Sequence, residues 1–309
     1  MVIVIPAYNE EIAIEATLKQ FADNCPEHEI WVIDNNSKDR TQEIAKECFR
    51  KFNLKGGVLF EKRQGKAFAM RTAFHKLDAD YYGMIDADAT YPVPEFNKML
   101  QLAISGNYDM VVGDRHSKGD YEKVMKRPFH NLGNGLVKNL INKLFRSNLS
   151  DIMSGYRVMS RTFVKNYPIL CAGFEIETEM TIHALDKRFH LIEYPIPFTD
   201  RPEGSFSKLN TYRDGYRIIK TIFWVFKDYH PLRFFGFFAI LFLFLGLLSG
   251  FVVINEFIQT RQILHLPLAI LATGLMLFSL LFTIVGLVLD TVVRNQKFNF
   301  ELNLLSQKK

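Results

Sequence analysis

The first 112 residues alternate short β-branched runs with stretches of helical spacing. Residues 2–5 (VIVI) read as a strand and 10–23 as an amphipathic helix. The pair recurs at 30–33 and 41–52, at 58–60 and 66–77, and at 81–85 and 95–106, and a run at 110–112 closes the series. Strands and helices alternating at this period predict βαβ units, hence an α/β fold with a mostly parallel sheet and helices on both faces. Ligands of such sheets bind beyond the carboxyl ends of the strands. Chemistry is therefore expected at residues 6–10, 34–39, 86–88 and 113–115.

The pattern changes after residue 233. Residues 234–254 and 268–289 are two runs without a formal charge. At 1.5 Å per residue they reach about 31–33 Å, the thickness of a bilayer's hydrocarbon core. The linker between them holds Arg261 alone. The outer flanks hold Lys220, Lys227 and Arg233 before, and Arg294, Lys297, Lys308 and Lys309 after. The positive-inside rule then places both ends in the cytoplasm, joined by a short external loop. On a helix over 212–229, Arg213, Arg217, Lys220 and Lys227 form one face, and Ile218, Ile219, Ile222, Phe223 and Phe226 the other. That stripe predicts a helix lying in the headgroup plane. The expected organisation is a cytosolic catalytic domain (1–210), a juxtamembrane amphipathic helix (211–233), a two-helix transmembrane hairpin (234–290) and a cytosolic tail (291–309).

Composition supports two unlike parts. The 309 residues are 48% hydrophobic yet 23% charged, and 38 basic against 33 acidic residues give a net charge of only +5. That balance argues against nucleic acid as a partner. Cys25, Cys48 and Cys171 show neither zinc nor disulfide spacing and suit a reducing compartment. The opening M-V-I-V-I-P reads as a strand and not as a signal peptide.

The four strand ends carry P-A-Y-N-E-E, D-N-N-S-K-D, D-A-D and G-D-R. Acids crowded at neighbouring strand ends repel one another unless cations or donors lie between them. Asp86 and Asp88, two apart, offer a divalent ion one or two hard oxygen ligands, which suits Mg²⁺ or Mn²⁺ carrying a substrate diphosphate. No P-loop, G-x-G-x-x-G, HExxH or G-x-S-x-G is present. Arg157 reads as a structural ion-pair partner, and His116, His130 and His183 as surface or satisfied residues. Lys66, after Gly65, reads equally as a base or phosphate contact and as a solvated helix-opening lysine.

P-A-Y-N-E, D-x-x-S-x-D, G-K-x-x-A, D-A-D and S-G-Y-R, in this order, resemble the family-2 glycosyltransferases of GT-A fold. Within them the chain is similar to the polyprenyl-phosphate branch, which includes dolichol-phosphate mannose synthases and bacterial two-span bactoprenol-phosphate glucosyltransferases. The resemblance implies a nucleotide-sugar donor, a divalent metal, inversion at the anomeric carbon, a polyprenyl phosphate acceptor in the cytoplasmic membrane, and a possible homo-oligomer. It assigns Pro6, Tyr8, Glu10 and Asp34 to the nucleoside. Asp86 becomes the diphosphate-side acid and Asp88 the principal metal ligand. Arg115 and Arg127 would hold phosphates, and Asp151 would stand near the reaction centre. Arg201, Ser207 and Lys208 would close over the phosphates, and Glu177 and Glu179 would face the acceptor. Asn35 and Asn36 depart from the usual acid and glycine after Asp34, which bears on base contacts. Thr90 replaces the glutamine common in mannose synthases. UDP-glucose is the leading donor on this reading, with UDP-N-acetylglucosamine and GDP-mannose behind it. A processive polysaccharide synthase is the alternative, but its Q-x-x-R-W element is missing. A non-catalytic scaffold would be expected to lose the metal acids, and both are present.

Overall fold

The computed structural model describes residues 1–117, 128–171, 173, 175–199, 220, 223–262 and 264–307, with side chains of 128–134 and 307 excepted. The chain forms two compact units, Met1–Gly215 and Tyr216–Lys309.

In the first unit the alternating pattern is realised as β1 (Val2–Ala7), α1 (Ile14–Asn24), β2 (Glu29–Asp34), α2 (Thr41–Lys51), β3 (Gly56–Phe60), α3 (Lys66–Lys76), β4 (Tyr81–Met84), α4 (Glu95–Ser105) and β5 (Met110–Asp114). The first helix begins four residues later than its periodicity predicts, because residues 11–13 are a turn. Four elements follow α5 (Pro128–Phe145): β6 (Arg157–Ser160), α6 (Arg161–Lys165), α7 (Ile176–Asp186) and β7 (Leu191–Pro195).

The seven strands lie in the order β3-β2-β1-β4-β6-β5-β7. β1 pairs in parallel with β2 and β4, β2 with β3, and β5 with β7. β6 runs against both neighbours, with Met84, Arg157 and Val112 in one row. Its reversal leaves β4 and β5 pointing the same way, so the carboxyl ends of β1, β2, β4 and β5 share one sheet edge. The segment entering β6, residues 151–156, arrives at that same edge.

Each face of the sheet is covered by one apolar cluster. Ile3, Ile5 and Ile30 face Leu18, Phe21 and Phe96 from α1 and α4; Val4, Tyr82 and Met159 face Met70, Phe163 and Met180 from α3, α6 and α7. Alternation along β1 (Ile3 and Ile5 against Val2 and Val4) sends successive side chains to opposite clusters, as a central strand requires. Gly83 leaves room for Phe96, since a Cβ there would lie 1.9 Å from the ring.

The second unit is a helical hairpin of α8 (Pro231–Thr260) and α9 (Leu266–Gln307), both long and apolar enough to cross a membrane. Within their most apolar windows only 17% and 11% of residues are buried, and large side chains such as Phe237, Ile240, Phe251, Ile270 and Leu280 stand exposed. Exposed apolar surface on that scale marks a contact with lipid or protein. The helices meet where small residues allow close approach: Gly246 lies against Met276, Gly286 against Phe235, and Ser279 donates 2.8 Å to the Ala239 carbonyl. Arg261 ends α8 in the left-handed conformation (φ 60°).

Candidate active site

The first two strand ends are laced together. After β1 the chain turns at Asn9, which is left-handed (φ 52°). Asn9 N–H donates to Ser37 Oγ (3.1 Å), and its side-chain oxygen accepts from Lys38 N–H (2.8 Å). Glu10 N–H donates to Thr41 Oγ1 (2.8 Å). Pro6, Tyr8 and Glu10, half-buried, thus lie beside the turn that follows the buried Asp34. Asp34 Oδ1 accepts from Ser37 N–H at 3.4 Å.

Asn35 faces the next connection. Its amide nitrogen donates to the Arg63 carbonyl (2.6 Å), and its oxygen accepts from Gly65 N–H (2.6 Å). The amide supplies donor and acceptor together, where an ionised carboxylate could only accept. Gly65 adopts φ 140°, a conformation that L side chains rarely take, and so aims α3 and Lys66 at the strand ends.

Lys66 is not solvated. With 8% of its side chain exposed, it is ion-paired with both Asp86 and Glu177, the latter reached from α7. Burial alone would lower its pKa; Asp86 and Glu177 outweigh that and raise it, so the ammonium is permanent. Asp86 also packs against Gly155 of the S-G-Y-R segment, where a Cβ would stand 2.6 Å from Oδ2.

Asp88, buried, is oriented by its own turn. Ala89 is left-handed (φ 58°), which costs an alanine about 1 kcal/mol and lets Asp88 Oδ1 accept from both Thr90 N–H (3.2 Å) and Thr90 Oγ1 (2.7 Å). Thr90, the departure from mannose-synthase sequences, therefore fixes the neighbouring acid. No group of three or more His, Cys, Asp or Glu is placed to hold a metal among the described residues. The donor set does fit a divalent ion that arrives on a diphosphate, because Mg²⁺-type ions take one or two carboxylates and draw the rest from phosphate and water.

The far side of the edge is built on Asp151, whose side chain is 2% exposed. Arg115 clasps it with Nε (2.6 Å) and Nη2 (2.8 Å), and its own N–H donates at 3.2 Å. Burial would raise the Asp151 pKa, but Arg115 holds it below the usual carboxylate range. The acid is thereby kept ionised, and it positions Arg115. The loop itself is clamped twice. Glu193 on β7 accepts from Ser150 and Asp151 N–H, and Arg157 donates to the Ser154 (2.9 Å) and Ile152 (2.7 Å) carbonyls. Arg157, fully buried, bonds to these carbonyls, Thr181 and Met110 Sδ, so the ion pair expected of it is replaced by backbone acceptors. Tyr91 closes the gap between the two halves, its hydroxyl meeting Gly155 N–H (3.1 Å) and Arg115 Nη1 (3.3 Å).

Of the residues singled out in the sequence, Pro6, Tyr8, Glu10, Asp34, Asp86, Asp88, Arg115 and Asp151 gather on this edge, and Glu177 joins them through Lys66. Glu179 does not: it accepts from Tyr167 hydroxyl (3.0 Å) and from Leu170 and Cys171 N–H, bracing that segment. Arg127, Arg201, Ser207 and Lys208 lie outside the described residues, as does most of 212–229. His183 is buried among Phe163, Tyr167 and Phe189, and burial lowers its pKa to about 4. Sequence reading overlooks Tyr91 and Glu193, and it marks Thr90 and Gly155 without giving either a task at the site.

A largely parallel sheet with one reversed strand and a D-x-D beyond β4 is the GT-A architecture of sugar-transferring enzymes. Residues 2–167 match glycosyl transferase family 2, and the chain belongs to that family. It is 28% identical over 94% of its length to glycosyltransferase AglJ of Haloferax volcanii, covering 93% of that protein. To the dolichyl-phosphate hexose transferase of the same organism it is 29% identical over 72% of its length and 92% of the relative's. Glucosyl-3-phosphoglycerate synthase from Mycobacterium tuberculosis, solved with Mn²⁺ and UDP-glucose, shares the fold at a TM-score of 0.55 and 19% identity, over 73% of this chain and 77% of that one.

Proposed function

We propose that the protein transfers a hexose, with inversion, from a nucleotide sugar to the phosphate of a membrane polyprenyl phosphate, with UDP-glucose as the donor. The observation that carries this reading is the coexistence, in one chain, of a family-2 strand-end site and a hairpin whose exposed apolar helices match a bilayer's thickness. Such a hairpin suits an acceptor that lies in the membrane, and a soluble acceptor would leave it without a task. The relatives named for dolichyl-phosphate chemistry support the acceptor class. The active site would face the cytoplasm, where nucleotide sugars and basic flanking residues coincide.

Asp88 would be the principal ligand of the divalent ion, with Asp86 in a supporting place, and the ion when bound would offset the charge developing on the departing diphosphate. Thr90 keeps Asp88 in one orientation. Arg115, pre-aimed by Asp151, presents a fixed cation toward phosphate oxygens without reorganising during the reaction. No strong base is needed, because a phosphate monoester has a second pKa of about 6 and is substantially dianionic at neutral pH. This agrees with an Asp151 kept ionised and occupied. Pro6, Tyr8 and Asp34 line the nucleoside side of the same edge.

Incubating the full chain in detergent with labelled polyprenyl phosphate and UDP-glucose, UDP-N-acetylglucosamine or GDP-mannose, then weighing the lipid product, tests this. A monoglycosylated lipid phosphate from UDP-glucose is expected. Polymer, or no lipid-linked sugar from any donor, would refute it.

A further inference from the structure

The acidic corner at the end of β4 contains a cation of its own. Lys66 is buried, its backbone is fixed by Gly65 and Asn35, and its ammonium is claimed by two carboxylates on different elements, Asp86 and Glu177. A lysine so tethered does not swing out to a phosphate. Resting on the metal- and nucleotide-dependent reading above, we propose that Lys66 is a positioning residue that reserves Asp86. It stands as a resident cation between Asp86 and Glu177, so that the divalent ion is held through Asp88 and diphosphate oxygens, and its uptake depends on nucleotide.

Charge and donor chemistry carry the argument. With Lys66 present, Asp86 and Glu177 are bridged by one ammonium, and no three-acid cage exists among the described residues. Without it, Asp86 and Glu177 become two hard-oxygen donors around the place of one lost cation, a pair left with uncompensated negative charge that recruits a divalent cation by itself. Lys66 thus prevents premature loading. A metal ion trapped before the nucleotide would occupy the place of the diphosphate's counter-ion and leave the incoming donor fewer open coordination positions.

The prediction runs against the usual expectation that removing a conspicuous active-site residue weakens metal binding. Mn²⁺ binding by the full chain in detergent, followed by electron paramagnetic resonance with and without UDP or GDP, reads it directly. Wild type should bind Mn²⁺ at least about tenfold more tightly with nucleotide than alone. Lys66→Met should bind Mn²⁺ alone at least about tenfold more tightly than wild type, with the nucleotide effect reduced below about threefold. Lys66→Arg, which keeps the charge, should restore the wild-type dependence. Because Lys66→Met leaves Asp86 and the buried Glu177 without their shared cation, Lys66→Met/Glu177→Gln serves beside it; this variant keeps the corner's net charge and still releases Asp86. It should bind Mn²⁺ alone at least about threefold more tightly than wild type. Wild-type nucleotide dependence in either folded variant overturns the inference alone. A wild type that takes up no Mn²⁺ beside either nucleotide overturns the metal reading and the inference with it.

Discussion

Replacing Gly155 by alanine tests how far the site depends on the strand that runs the wrong way. The added methyl would stand 2.6 Å from Asp86 Oδ2 and 3.0 Å from its Cγ and Oδ1. Ordinary carbon–oxygen contact requires the carboxylate to retreat by about 0.8 Å. Asp86 is 28% exposed, so it has room to yield, and the stability cost is about 1 kcal/mol. Function is less forgiving. The displaced carboxylate pulls on Lys66, and the Tyr91 bond to the Gly155 N–H shifts with it. A misplacement near 1 Å in a reacting constellation lowers kcat/KM by roughly 100-fold. Initial rates of transfer to polyprenyl phosphate, measured beside a thermal melt, separate the two effects. A folded Gly155→Ala protein whose kcat/KM stays within about threefold of wild type would refute the claim that this glycine fixes the acidic corner.

Asp88→Asn should abolish metal-dependent transfer, by about 100-fold or more, with melting little changed; rates across a Mn²⁺ titration check it. Asn35→Asp loses the donor to the Arg63 carbonyl and sets a carboxylate against it, so chemical denaturation should show a loss of about 1–3 kcal/mol. Glu61 is held down to about 2 by its Arg63 hydrogen bonds, with burial opposing and Thr72 assisting. Since its folded pKa lies below the unfolded value, its contribution is present above about pH 4.5 and fades as pH falls toward 2. Glu61→Gln should therefore be less stable than wild type at pH 7, by about 1–2 kcal/mol, and the gap should close on acidification; denaturation series at pH 7 and pH 3 measure this.

Much of this architecture is legible in the chain's periodicity. β1 to β5 and their helices carry clear apolar runs, and parallel strands predict the working edge before any geometry is known. β6 and β7 escape because each is short and mixed. R-V-M-S opens on a charged residue whose burial depends on carbonyls at 152 and 154, and L-I-E-Y-P carries Glu193 for the same loop. Neither pairing partner is near in sequence. Lys66 shows the same limit at the site. Nothing within its own helix distinguishes a solvated lysine from a buried one; the decision is made by Glu177, 111 residues away. Glu177 and Glu179 look equivalent in F-E-I-E-T-E-M, yet helical geometry turns them to different tasks, two positions being about 200° apart. Arg157 reads in the sequence as the partner of an acid, yet it meets two backbone carbonyls, a hydroxyl and a thioether, which satisfy a guanidinium's fork without a second buried charge.

The length of α9 has a mechanical consequence. Its uncharged stretch ends at Leu289, and the helix runs on without interruption to Gln307. Those further 18 residues amount to about 27 Å of stiff rod. In a bilayer spanned by the uncharged stretch at a tilt of about 20°, the rod would rise roughly 25 Å above the hydrocarbon edge and roughly 18 Å above the headgroups, some two Debye lengths at physiological salt. Cargo fused to its tip would ride clear of the headgroups' electric field, as on a mast.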